Sequence, residues 1–299
     1  MSEQAREFAL NEFFKAPQHL QQSDQTSATP ASVMPALHNF HHWRDHFPDR
    51  AYSLLTFALL LVIWYAISAF KVVPELFLPS PAAVLRKFIS VADEGFVDAS
   101  LLAHTATSIA RVLVALILAT VTAVPIGIFI GLNRYARATI DPLIDFYRPI
   151  PPLAYLPLIV IWFGIGETSK VILIYLAVFA PISISTVQGV RRVDQSRIRA
   201  SLSLGANRWQ LIRYVILPSA LPDVLTGIRI GLGVGWSTLV AAELIAATRG
   251  LGFMIQSAAQ FLVTDVVVMG IIVIALIAFI FEWGLRRLQK ILVPWDGKP

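Results

Sequence analysis

Cysteine is absent from this 299-residue sequence. That excludes disulfides, thiolate metal sites and thiol nucleophiles. Charge is scarce: Asp, Glu, Lys and Arg make up 14% of the residues, against about 25% in soluble domains. Hydrophobic residues reach 56% and the mean hydropathy is +0.68. Together these values move the reading from soluble domains to an integral membrane protein. A phosphate-binding G-x-x-x-x-G-K-[ST] loop is also missing, and the one Gly-Lys pair is Gly297-Lys298, so no nucleotide site is expected on this chain. The first 50 residues hold no apolar run of signal-peptide type, and the first such run begins too late for an ordinary cleaved signal. The net charge of +5 fits cytoplasmic loops of a membrane protein, and no nucleic-acid partner is expected.

What is present is a series of long apolar runs. Six spans are expected, at about 51–70, 108–132, 139–162, 169–190, 224–247 and 265–288. The first is 20 residues without a charge, enough to cross roughly 30 Å of hydrocarbon. Residues 1–50 read as a polar arm broken by prolines, and 51–299 as the transmembrane domain. Between the first two spans, Pro81 opens a short amphipathic surface helix with Val84, Phe88 and Val91 on one face. The third span contains Pro142, Pro149, Pro151, Pro152 and Pro157. Such irregular backbone is tolerated at membrane depth only when it is buried in protein or lines a wet cavity. TRGLGFMIQSAAQFLVT, between the last two spans, reads as a loop. No internal repeat is visible.

Placing both termini in the cytoplasm puts 16 Lys and Arg in the inner segments and 5 in the outer ones. That bias fixes the expected orientation. The segment of about 191–220 is then cytoplasmic, and it is far longer than a bare helix connection needs. Ile198 and Leu202, then Trp209, Ile212 and Ile216, follow helical spacing. Gly205 separates the two pieces at a corner that calls for positive φ. Pro218 is expected to stop the second piece. A solvated basic loop that only sets topology is the plain alternative.

The spacing within this segment resembles the cytoplasmic signature of importer permeases of the ATP-binding-cassette superfamily. Arg199-Ala200-Ser201 and Leu204-Gly205-Ala206 are followed, nine residues after the glycine, by Val215-Ile216-Leu217-Pro218. Arg199 stands where the family has a glutamate, Ser201 where it has a second alanine, and Val215 where it has an isoleucine. YRPIPPLAYLPLIVIWFGIGETSK and GIRIGLGVGWSTLVAAELIAATRGLGFMIQSA look like the sulfonate/nitrate/taurine branch. The resemblance covers roughly residues 54–295.

The resemblance implies an all-α fold with six transmembrane helices and a cytoplasmic coupling helix, the type I importer permease fold. It implies a homodimer in a bacterial inner membrane, two separate ATPase subunits that carry ATP and Mg, and a periplasmic substrate-binding protein. Taurine or a related sulfonate is the implied cargo. Arg199, Ala200, Ser201, Leu204, Gly205, Ala206, Leu217 and Pro218 are the implied contacts to the ATPase. No catalytic residue is expected.

Ionisable groups within spans are costly unless paired or hydrated. Arg148 either pairs with Asp145 three residues earlier or meets an anion on the pathway. Arg229 is read as snorkelling to the inner surface. Glu282 is placed to pair with Arg286. Glu243 is either a helix–helix anchor or a pathway residue. Tyr155 and Trp236 are further gate or pathway candidates, and Trp162 is read as an interfacial aromatic. The glycines of GLGVGW, with Gly227, form a small-residue face for close packing. His38, His42 and His46 share a helical face, but nothing completes a ligand set, and no metal is expected. An ion-coupled secondary transporter is the competing class, and such transporters commonly carry repeats.

Overall fold

The computed structural model describes residues 49–295. The arm and its histidines His38, His42 and His46 lie outside the described residues. The chain divides into two units, Met1–Val62 and Ile63–Pro299. Of the first, only the start of helix α1 (Asp49–Ala69) is described. The packing that follows belongs to the second unit.

Helix α2 (Pro81–Glu94) begins where Ser80 accepts a hydrogen bond from the Ala83 N–H and Pro81 occupies the first turn. Both are N-terminal signals readable in the sequence. Its Val84 and Val91 are buried, and Gly95 ends it at φ +81°. Helix α3 (Leu101–Leu132) starts seven residues before the expected Ser108. The Ser100 side chain caps it by accepting from the Ala103 N–H, and the helix extends to meet that cap.

The third span is broken. Helices α4 (Arg134–Tyr147) and α5 (Pro152–Phe163) meet at 99°. Arg148-Pro149-Ile150-Pro151 forms the break, where two prolines remove backbone donors in succession. Pro142 and Pro157 remain inside their helices. Counting this bent pair as one, six spans exist among the described residues.

Helices α6 (Glu167–Arg191) and α9 (Leu217–Ala246) pack with α3 around the main core. Val112, Ala115 and Ala119 meet Ile174, Val178 and Ile182, together with Leu232 and Leu239. In lipid, helix association depends on close contact rather than on escape from water. The small-residue face supplies that contact. A Cβ on Gly227 would lie 2.6 Å from Ser185 Cβ, and one on Gly231 would lie 3.1 Å from Val178. Gly233 faces open space, so the close-packed stripe runs through the residues four apart.

After α6 the chain forms α7 (Gln195–Ser203), turns at Gly205, and enters α8 (Arg208–Leu211). A π-helical turn (Ile212–Ile216) carries it into α9 without a stop. Pro218 therefore does not end the second piece, contrary to expectation. Proline is tolerated in the first turn of a helix, and the widened π turn ahead of it relieves the strict i to i−4 pattern that a proline breaks. Ile198, Leu211, Ile212 and Val215 anchor this region on buried Val190, Val193, Ile216 and Ala220.

The stretch expected to be a loop contains helix α10 (Leu251–Gln260). Leu251, Met254 and Ala258 are its buried hydrophobic residues at spacings of three and four, and they pack on α2 and α11 (Thr264–Leu292). Lys87 of α2 lies 3.8 Å from Asp265 of α11. The bundle thus has two distinct ends. One carries the Gly205 corner, and the opposite one carries α2, α10 and the start of α6.

Candidate functional site

The corner is built from local rules. Asp194 caps α7 by accepting from the Ser196 N–H at 2.9 Å and the Ser196 hydroxyl at 2.6 Å. These donors hold the Asp194 carboxyl below its usual range. Gly205 sits at φ +86°, and a Cβ there would meet nothing within 4 Å. Backbone handedness, not crowding, is what demands glycine. Asn207 and Gln210 then form a reciprocal capping box that starts α8.

Most of the corner faces outward. Leu204 is 89% exposed, and Trp209 is exposed beside it. Arg199 and Ala200 are exposed, and Ser201 and Ala206 are half-buried. The Ser201 hydroxyl donates to the Arg197 carbonyl. Arg199 joins no ion pair among the described residues, so its charge is available. Six of the eight coupling candidates therefore meet at this corner. Leu217 and Pro218 do not. They lie in the first turn of α9, about 15 Å of helix beyond the start of α8, with Leu217 37% exposed.

The pathway candidates divide into three places. Arg148 and Tyr155 line one cavity of about 330 Å³ at the break between α4 and α5. Tyr147, Ala177, Pro181 and Val234 also face it. The Tyr147 hydroxyl donates to the Leu176 carbonyl. The expected pair of Asp145 and Arg148 is not formed among the described residues.

Trp236 is elsewhere. It is buried in the core with its ring 5.9 Å from that of Phe281, and its indole N–H has no partner among the described residues.

Glu243 is fully buried at the opposite end. Its carboxylate accepts from Ser108 Oγ at 2.8 Å, from Arg111 Nη1 at 2.6 Å and from the Gly252 N–H at 2.8 Å. Arg111 also grips Glu167 with two further donors at 2.6 and 2.7 Å. Lys170 completes the group at 2.9 Å from Glu167. Two cations and two carboxylates thus balance in formal charge. A buried pair survives when its geometry is good and its remaining donors and acceptors are used, as here. These contacts tie Glu243 of α9 to α3 and to the start of α10, as a helix–helix anchor does.

The same knot pins the loop before α10. Arg111 Nη1 donates to the Arg249 carbonyl at 2.7 Å, and the Leu251 N–H donates to Ser108 Oγ at 2.8 Å. The Gly250 N–H lies 3.1 Å from His104 Nδ1. That nitrogen must then accept, which leaves the proton on Nε2 to be donated to the Phe96 carbonyl at 2.9 Å. Gly250 has φ +131°, and a Cβ there would fall 2.4 Å from the Glu243 carboxylate.

Sequence reasoning missed His104, Ser108, Arg111, Glu167 and Lys170. A usable signal existed: His104, Ser108 and Arg111 recur at four and three at the start of a long apolar run.

Arg229 is paired rather than merely snorkelling. Its Nε lies 3.4 Å from Glu282, which also accepts from Arg286 at 2.9 Å as the spacing suggested. Trp162 is exposed on α5. Among the described residues no group of three or more His, Asp or Glu side chains is placed to hold a metal.

Residues 123–293 match the family of binding-protein-dependent transport system inner membrane components. The chain is 58% identical to the taurine transport system permease protein TauC of Escherichia coli, over 82% of this chain and 90% of that one. It is 36% identical to a Bacillus subtilis chain whose name, SsuC, proposes aliphatic sulfonate transport, over 81% of this chain and 87% of that one. Among solved structures, a bacterial alginate ABC transporter in complex with a pentasaccharide-bound periplasmic protein matches with a TM-score of 0.59. It is 14% identical and covers 84% of this chain and 98% of the other. At that identity the likeness is one of fold.

Proposed function

The chain belongs to the family of binding-protein-dependent transport system inner membrane components, and on that premise we propose that it is the permease of an ATP-driven taurine importer. It forms the path across the membrane and carries out no covalent chemistry. Two copies form the path. A periplasmic binding protein delivers the cargo, and two ATPase subunits bind ATP and Mg. Both termini and the Gly205 corner face the cytoplasm, and the Glu243 knot faces the other side. The permease domain is 51–299, with its coupling segment at about 191–220 and the polar arm 1–50 before it.

The observation that carries the coupling role is the exposed corner. Leu204, 89% exposed, projects from a turn that Gly205 holds open. Behind it, α8 runs through the π turn into α9, a central span. A push on the corner is therefore delivered to a helix that lines the core. Alternating access is then a shift between two packings, biased by ATP binding to the partner. Arg199 and Arg208 offer positive charge at the corner, and a carboxylate on the ATPase surface is their matching partner. The likeness to the E. coli taurine permease supports the choice of cargo.

The test is ATP-dependent uptake of labelled taurine by the complex of permease, ATPase and binding protein in vesicles. Uptake that requires ATP, and that longer alkanesulfonates and nitrate compete for only weakly, is expected. Stronger competition by those anions would reassign the cargo. Uptake driven by a pH step without the ATPase would refute the ATP-driven reading.

A further inference from the structure

Arg111, Arg148 and Arg229 are treated differently. Arg111 is held by Glu243 and Glu167, and Arg229 by Glu282. Among the described residues Arg148 has no carboxylate partner, and its side chain makes no hydrogen bond. An unpaired cation at membrane depth is costly unless it faces water or a ligand.

The depth of Arg148 follows from its neighbours. The wall of its cavity includes Leu176, Ala177, Ala180 and Pro181 of α6, with Ile230 and Val234 of α9. Leu176 is about 14 Å along the helix from Glu167, at 1.5 Å per residue, and Pro181 is about 15 Å from Arg191. Ile230 and Val234 fall near the middle of α9. The cavity is therefore midway along α6 and α9. Its volume of about 330 Å³ sits at the small end of the range for small-molecule sites, roughly 300–1,000 Å³.

Two further groups are unspent there. The Tyr155 hydroxyl makes no hydrogen bond to a described residue. Pro181 has no N–H, so the Ala177 carbonyl lacks its helical donor. The cavity thus brings together Arg148, with its guanidinium fork, Tyr155, with its hydroxyl, and Ala177, whose carbonyl lacks its helical donor, within apolar walls. A fork of this kind matches the paired oxygens of a tetrahedral or planar anion. A carbonyl and an aromatic face suit an ammonium group.

We propose that this cavity is a station for a small zwitterionic sulfonate in transit, with Arg148 and Tyr155 on the sulfonate and the Ala177 carbonyl on the amine. The inference rests on the importer reading. It adds the point on the path where the cargo is held.

The absence of cysteine from this chain makes the test specific when the partner subunits are used in cysteine-free form. Arg148→Cys is made in the full complex, and ATP-dependent taurine uptake is measured before and after labelling. Uptake is expected to fall at least tenfold. Reaction with 2-aminoethyl methanethiosulfonate, which returns a cation, is expected to restore a large part of it. The 2-sulfonatoethyl reagent is expected to leave it low, and loaded binding protein with ATP is expected to slow the labelling. Uptake within twofold of the unsubstituted complex would overturn the proposal, and so would equal effects of the two reagents. Should Arg148→Cys not assemble, Tyr155→Phe serves. A several-fold lower uptake rate at saturating loaded binding protein supports the station, and an unchanged rate overturns it. Failure of the unsubstituted complex to take up taurine would instead refute the importer reading, and it is seen before any variant is compared.

Discussion

At one end of the bundle Arg111, Glu243, Glu167 and Lys170 satisfy one another. At the other end Arg199 and Arg208 face outward with no carboxylate partner among the described residues, beside an exposed Leu204 and Trp209. The first arrangement uses its polar groups to fix α3, α6, α9 and the loop before α10 against each other. The second leaves its groups to something outside the chain. A rigid end and an unsatisfied end are what a lever needs: one part must stay packed while the other is pushed. Gly205 and Gly250, both at positive φ, repeat the contrast. Gly250 is wedged against a carboxylate, and Gly205 stands in open space.

The largest expected effect tests the rigid end. Glu243→Ala removes one partner of a buried pair, which costs about 3–5 kcal/mol because the remaining charge is left uncompensated. Thermal unfolding of the purified complex reads this as a large loss. A stable Glu243→Ala chain that has lost uptake would return Glu243 to the pathway and break the comparison.

A smaller effect separates the two glycines. Gly205→Ala carries only the handedness penalty, about 1–2 kcal/mol, confined to an exposed turn. Gly250→Ala carries that penalty and also drives a Cβ into the Glu243 carboxylate, so it should destabilise the chain clearly more. Parallel melting curves check the order. Equal losses would show that the open corner is as constrained as the knot.

Most of the fold was legible because its signals are local. Apolar length marked the spans, clustered prolines marked the broken one, and the residues around Gly205 marked a corner by spacing alone. Pro218 was misread because a proline either stops a helix or sits in its first turn, and the π turn that decides between them leaves no pattern in the sequence. Helix α10 was missed because Gly250 and Gly252 suggest a loop. Leu251, Met254 and Ala258 did carry helical spacing, but over little more than two turns.

The site was half legible. Arg148 and Tyr155 drew attention singly, but their shared cavity depends on α6 and α9, which fold back from later in the chain. The Arg111 knot was out of reach for the same reason. Arg111 and Glu243 are 132 residues apart, and nothing local ties a cation in one span to a carboxylate in another. Asp145 shows the converse: the three-residue spacing to Arg148 allowed a pair that is not formed among the described residues, although the backbone stays helical through Arg148.

The contrast between the two ends is tested most directly by crosslinking in a chain with no cysteine of its own. One cysteine is placed at Leu204 and, separately, one at Leu262, which is also exposed but at the opposite end. Each is reacted with a short heterobifunctional reagent, thiol-reactive at one end and amine-reactive at the other, in the complex with its ATPase. Leu204→Cys should join the permease to the ATPase subunit, and Leu262→Cys should not. An adduct from Leu262→Cys with none from Leu204→Cys would contradict the account.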